Sequence, residues 1–247
     1  MVFGFTLVPS RLKFNTNRVP VFVAQNSCVN NSLTTARLHG LVEEALQEFW
    51  NQVPTSAMRL KLHGVYGAVD TSNDTLGQAL AKAPNGAILV GCSQNTSIFD
   101  DASILGVGSI AQKSNGDIVG ALLINDALIS GENRVASLPD SELRAVFAHE
   151  IGHALGIGHS GNKIALMYYA IGEKVQERLS QDDYDALTYL YPNRSPGGCG
   201  LISMHDDDWG MGMKNFLYSL ILGIFMALLV VKILTRLSKN NSIPGSA

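Results

Sequence analysis

Residues 149–159 read HEIGHALGIGH, with Ser160 immediately after, and the spacing inside this stretch decides both the fold around it and its chemistry. On a helix, His149 and His153 stand one turn apart, so both imidazoles project from one face and can share an ion. Glu150 follows the first of them and can reach a water on that ion without joining the coordination. Gly156 lets the backbone turn in a left-handed conformation, which ends the helix and brings His159 round as a third ligand. Three protein ligands leave one position open, the arrangement of a catalytic rather than a structural zinc. The chemistry is then hydrolytic: zinc acidifies its water and polarises a carbonyl, while Glu150 takes the proton and passes it to the leaving amine of a peptide bond. A bare HExxH is weak, since two histidines on a buried helix can be structural. The glycine and the third histidine at these spacings make accident rare.

Working outward, LPDSELRAVFAHEIGHAL at 138–155 reads as one long helix, with Ser137 as N-cap, acidic Asp140 and Glu142 in the first turns, and Gly156 at its end. Upstream, 18–24 (RVPVFVA) reads as a strand and 33–50 as an amphipathic helix whose apolar positions recur at helical spacing. Residues 58–63 alternate as a half-buried strand, and 87–91 (AILVG) is a continuous apolar run expected of a strand covered on both faces. The runs 105–112 and 117–124, joined through Asn115-Gly116, form a hairpin. His39 and His63 fall on polar positions and read as solvated. Downstream, LSQDDYDALTYLY at 179–191 carries a third main helix, capped by Ser180 with Asp183 completing a capping box. Strand, helix, strand, strand, hairpin, helix implies an α/β fold with a mostly parallel sheet and one antiparallel strand.

The 247 residues suffice for one domain with a proper core plus an appendage. A net charge of −3 with 16% charged residues offers no basic stripe, so nucleic acid is not an expected partner. Cys28, Cys92 and Cys199 form no CxxC pair, which argues against a thiolate metal site and for one disulfide with one odd thiol. Residues 216–234 (FLYSLILGIFMALLVVKIL) are apolar on every side of a helix, and 19 residues span roughly 28 Å, the thickness of a bilayer core. Lys232, Arg236 and Lys239 lie at the end of this transmembrane helix or beyond it, whereas Lys214 precedes it together with Asp206, Asp207 and Asp208, which places the tail in the cytoplasm and the main domain on the extracytoplasmic or extracellular side. The expected order is a signal-segment remnant at 1–8, a catalytic domain at 9–192, a linker at 193–215, the membrane span at 216–234 and a cytoplasmic tail at 235–247. The rival is a tail-anchored chain with its domain in the cytosol. It is favoured by the short apolar run in MVFGFTLVPS and disfavoured by the charge asymmetry.

Over residues 9–192 the chain resembles the metzincin clan of zinc proteases and, within it, the matrixins, the family of the matrix metalloproteases. Ser160 after the third histidine, ALM at 165–167 and LSQDD at 179–183 carry the resemblance. It implies a methionine turn at Met167 beneath a single catalytic zinc. It also gives Asp182 and Asp183 the task of tying the last helix to that turn and to the beginning of the chain. The implied fold is the α+β metzincin type, a five-stranded sheet above the active-site helix, whose antiparallel edge strand at 105–112 binds extended substrate by strand addition. In such a sheet the first and third strands are parallel neighbours, which makes Cys28 with Cys92 the preferred disulfide and leaves Cys199 as a free thiol or an intermolecular bridge.

The departures matter as much. No histidine lies between His63 and His149, so a structural zinc is not expected, and calcium near Asp126 is allowed but not expected. The matrixin Pro-x-Tyr wall is replaced by Tyr169, Ala170 and Ile171, so side-chain preference does not carry over. Tyr169 is placed like the tyrosine two residues after the Met-turn methionine of astacins and serralysins, which contacts zinc or stabilises the oxyanion, and is a catalytic candidate on that ground. The expectation is a membrane-anchored zinc metalloendopeptidase acting on protein or peptide substrates. The alternatives are a catalytically silent peptide-binding module of the same fold and a zinc hydrolase of another amide or ester.

Overall fold

The computed structural model describes residues 4–26, 28–129, 133–169, 176 and 178–193. Its strands are β1 (Arg18–Val23), β2 (Arg59–Val65), β3 (Ile88–Ser93), β4 (Gly106–Gln112) and β5 (Ile118–Asn125), and its helices are α1 (Thr35–Glu48), α2 (Leu76–Lys82), α3 (Asp140–Ala154) and α4 (Gln181–Leu190). The five strands form one sheet in the order β2-β1-β3-β5-β4. All neighbours are parallel except β4, which runs antiparallel to β5 with Gly106 opposite Ile124 and Gln112 opposite Ile118.

Hydrophobic patterning accounts for this order. Every residue of β3 is buried, as its unbroken apolar run requires of a central strand, whereas β2 alternates and sits at an edge. Along β5 successive side chains enter different cores. Ile118, Leu122 and Ile124 join α1, α3 and α4 on one face, while Val119, Ala121 and Leu123 join Ala79 of α2 and Phe99 on the other. Helices therefore cover both faces, and β4 is the edge left beside α3.

One helix and two helix boundaries differ from expectation for identifiable reasons. The short helix α2 makes four helices rather than three; it is held by a capping box between Thr75 and Gln78 and offers only Ala79 as a buried residue, too little apolar signal to read in sequence. Helix α3 starts at Asp140, not Leu138, with extended Pro139 as its N-cap and no side-chain cap. Ser137 cannot cap it, because its hydroxyl donates to Arg134 O (2.8 Å) from within a 3-10 turn. Helix α1 stops at Glu48 because Phe49 leaves helical geometry, and the following turn carries buried Trp50, whose indole N–H donates to Ala148 O of α3 at 2.8 Å.

Cys28 and Cys92 are joined as a disulfide with Cα atoms 5.5 Å apart. Residues 6–8 are woven into the domain: Leu7 bridges Ile157, Val8 N donates to Gly156 O and Gly158 N to Thr6 O. The expected linker beyond Asn193, the membrane span and the tail lie outside the described residues. Among the described residues no helix is long and apolar enough to cross a membrane.

Candidate metal centre and cleft

Helix α3 carries His149, Glu150 and His153 on its last turns. It ends at Ala154, and Gly156, with a φ of +99°, sends the chain back over the helix terminus; Gly156 N donates to His153 O and Ile157 N to Gly152 O, both at 3.0 Å. A β-carbon at this position would stand 2.5 Å from Leu12 O, so glycine is required by space as well as by conformation. The reversal returns His159 to the other two histidines, and one ligand atom from each lies within 4.8 Å of the others. The three form a group able to hold a metal ion.

Their electronic state suits that task. His149 Nδ1 lies 2.7 Å from Leu166 O and His153 Nδ1 lies 2.8 Å from Ile157 O. A carbonyl only accepts, so both Nδ1 atoms carry the proton and both Nε2 atoms present a lone pair, that of His153 lying 3.1 Å from His159 Nε2. Burial pushes His149 down to about 4 and His153 down to about 3, in each case aided by a neighbouring histidine, and also lowers His159. All three rings are therefore neutral at pH 7, the form a metal ligand needs.

Glu150 is 7% exposed, and its Oε2 has no hydrogen-bond partner. Burial alone pushes its carboxyl up to about 8. Edge strand β4 lies directly over it: a β-carbon on Gly106 would stand 2.9 Å from Glu150 Cγ, and one on Gly108 would clash with Glu150 O and stand 3.1 Å from Oε2. Glycine at these alternate positions is what lets strand and helix close on each other. The pair escaped sequence reading, although GVG opening an apolar strand was the signal available.

Behind the site, Met167 is 1% exposed and its sulfur packs against Gly152 of α3. Asp183 accepts from Leu166 N (2.9 Å), Met167 N (3.0 Å), Ser180 N (2.7 Å) and the Ser180 hydroxyl (2.8 Å). Burial raises its pKa against the opposing pull of those hydrogen bonds. Asp182 accepts from the Ser160 hydroxyl, and Ser160 N donates to Met167 O at 2.7 Å. The third histidine's loop, the methionine turn and α4 are thus knit together, and the carbonyl that orients His149 belongs to the same turn.

Tyr169 is 67% exposed in the mouth of the site, its ring centre 6.4 Å from that of His159. Asp126 lies elsewhere and is fully engaged. Its Oδ1 accepts from Asn30 N (2.8 Å) and Asn31 N (2.9 Å), and its Oδ2 from Val29 N (2.9 Å) and Gln94 Nε2 (3.0 Å). With both oxygens spent on N–H donors it holds the loop after Cys28 and has little left for a cation.

A cleft of 580 Å³ runs between β4 and α3, with the three histidines and Glu150 on its floor and Tyr168 and Tyr169 at one wall. Three imidazoles converging beside a carboxyl with an unpartnered oxygen, under the edge strand, form a group able to hold a metal ion on the floor of the cleft.

Comparison with known proteins agrees with this geometry. The Matrixin family model matches residues 61–192, more than half of the chain. Among curated proteins, similarity extends to human Matrix metalloproteinase-25 (49% identical over 55 residues, 21% of this chain and 10% of that protein) and human Matrilysin (47% over 49 residues, 19% and 18%). It extends also to Metalloendoproteinase 1 of Glycine max, 45% identical over 51 residues, 20% of this chain and 17% of that protein. The matched stretches thus span less than a fifth of each of these relatives. With the family model covering the sheet from β2 onward, the cleft and α4, the chain belongs to the matrixin family.

Proposed function

We propose that this protein is a zinc-dependent endopeptidase that cuts extended segments of protein substrates. The observation that carries the reading is the pairing of three neutral imidazoles, their ligand atoms within 4.8 Å, with the buried and unpartnered Glu150 Oε2. Zinc fits this donor set, since neutral nitrogen ligands in a three-histidine group with an open side are its usual catalytic environment. Bound by His149, His153 and His159, it supplies a Lewis acid that acidifies water and polarises the scissile carbonyl.

The chain's own residues do the rest. Leu166 O and Ile157 O hold two of the rings in the ligating tautomer. Glu150 Oε2, with no competing donor, takes the proton of the attacking water and returns it to the departing nitrogen. The free edge of β4 presents backbone N–H and C=O groups to a substrate strand, and Gly106 and Gly108 let that strand lie close above Glu150. Met167 and Asp183 are positioning residues: they fix the turn that bears Leu166. Tyr169, which lines the cleft with its ring centre 6.4 Å from that of His159, would offer its hydroxyl to a developing oxyanion.

The membrane-anchored placement of the domain on the extracytoplasmic side rests on the apolar run at 216–234 and its flanking charges. Release of the full-length chain from membranes by detergent but not by alkaline carbonate tests it. For the activity, the full-length chain is incubated with a mixed peptide library with and without chelator. Cleavage that is lost on chelation, restored by zinc and absent in Glu150→Ala with zinc still bound supports the reading. Peptide binding without cleavage by the wild type points instead to a silent binding module.

A further inference from the structure

The cleft holds one charged side chain that the proposed chemistry does not use. Arg134 is the only lysine or arginine among the described residues lining it. Its place along the cleft follows from its neighbours. Asn133 Nδ2 donates to Asn125 O (3.1 Å) and Ala127 O (2.9 Å), while Asn125 itself donates to Leu105 O (3.0 Å) and, through Nδ2, to Ile104 O (2.7 Å). Arg134 is therefore held at the end of the cleft where β4 begins, ahead of Gly106 and Gly108, which lie over Glu150.

That end has a definite meaning for a bound strand. β4 pairs antiparallel with β5, and antiparallel pairing on its free edge is the more stable choice for an added segment. Such a segment runs against β4, so the residues that follow the cleaved bond pass Leu105 and Ile104. At about 3.3 Å per residue, Arg134 lies within reach of side chains on the order of two positions beyond the cut.

The guanidinium is also available. Among the described residues no hydrogen bond or ion pair occupies it. Asp101 is near enough to feel its charge, but that carboxylate is lowered first by its hydrogen bonds from Ser103 and last by Arg134, and its Oδ1 already accepts from Ser103 N at 2.7 Å. Acidic chemistry on the substrate is what such a cation recognises, and arginine can grip a carboxylate with two parallel bonds.

We propose that Arg134 is a specificity-determining residue that selects substrates bearing an aspartate or glutamate side chain on the C-terminal side of the cleaved bond, an inference that rests on the endopeptidase reading. The test uses the full-length chain, zinc-loaded, and peptide pairs that differ only by glutamate or lysine at one of the first three positions after the cut. The ratio of kcat/KM for glutamate over lysine is expected to be about 3- to 10-fold at one of these positions in low salt, the range of a partly exposed ion pair, and to shrink in high salt. It should fall to about 1 in Arg134→Gln and invert in Arg134→Glu.

A wild-type ratio near 1 at all three positions, or the same ratio in the wild type and in Arg134→Glu, overturns the assignment. Absence of any cleavage by the wild type would sink the endopeptidase reading instead. The same pairs are then compared by fluorescence anisotropy, where tighter binding of the glutamate peptide and its inversion in Arg134→Glu support the role of Arg134, and equal affinities overturn it.

Discussion

Replacing Glu150 by glutamine should make the metal-free protein more stable while abolishing its activity, and the pH dependence of the gain identifies its cause. Glutamine keeps the shape of the side chain and removes its charge. In the unfolded chain the carboxyl ionises near 4.5, whereas burial in the fold pushes it up to about 8. Because the folded value is raised, the folded chain binds more protons in this window, so stability is full below pH 4.5 and declines as pH rises toward 8. At about 1.4 kcal/mol per pH unit, the cost of burying the group at pH 7 is roughly 3 kcal/mol. A buried amide with donors of its own recovers only part of that, which leaves a gain of about 1–3 kcal/mol, or roughly 3–9 °C in Tm for a domain of this size.

The assay is thermal unfolding of the chelated wild type and Glu150→Gln at pH 5, 6, 7 and 8. Chelation is essential, since a cation beside the carboxylate would move its pKa. The difference should be near zero at pH 5 and grow at each step. Reloaded with zinc, the variant should lose peptidase activity by about 10²- to 10⁴-fold. A Tm difference that is the same at every pH, or a variant less stable than the wild type at pH 7, would refute the assignment of an isolated buried carboxyl at this position.

Tyr169→Phe should lower kcat by about 10-fold with KM little changed if the hydroxyl meets the oxyanion, and turnover kinetics within a factor of two of wild type would remove that role. Asp183→Ala leaves the buried Leu166 and Met167 N–H groups without their acceptor, and a loss of about 3 kcal/mol with faster zinc release to a chelator is expected from the loosened support of His149. Paired replacement of Cys28 and Cys92 by alanine opens a link across 64 residues and should cost about 2–4 kcal/mol in denaturant unfolding.

What could be read from sequence and what could not divides along a physical line. The three histidines, Gly156 and the strands were legible because helical spacing, a left-handed turn and unbroken apolar runs are local properties that hydrophobic burial then reinforces, whereas the neighbouring of the first and third strands and the edge place of 105–112 came from the resemblance to matrixins. Helix α2 escaped because it is short and buries only Ala79, with its stability residing in the Thr75 cap. Ser137 misled because its hydroxyl turned to a nearby carbonyl, a local competition that spacing cannot resolve. Gly106 and Gly108 were invisible as site residues, since their requirement for a bare backbone arises only when α3 is laid beneath β4. The role of Asp126 in holding the loop at 29–31 through three backbone N–H groups was not legible, since those donors lie about a hundred residues earlier in the chain.

The first few residues bear on how the metal centre is assembled in time. The Thr6 hydroxyl donates to His159 O across 153 positions of chain, and the same short segment pairs with Ile157 and Gly158. Tyr191, near the other end of the domain, donates its hydroxyl to Leu155 O (2.7 Å) and accepts from Phe14 N (3.1 Å). The third ligand's loop therefore rests on a contact spanning 153 positions of chain, whose closure costs more conformational entropy than the turns within α3. A partly folded chain whose first residues are not yet docked can carry His149 and His153 on one helix without His159 held beside them, a two-histidine half-site that would hold an ion only weakly. Tight capture of the ion becomes an event of the last stage of folding, when the two ends of the domain come together.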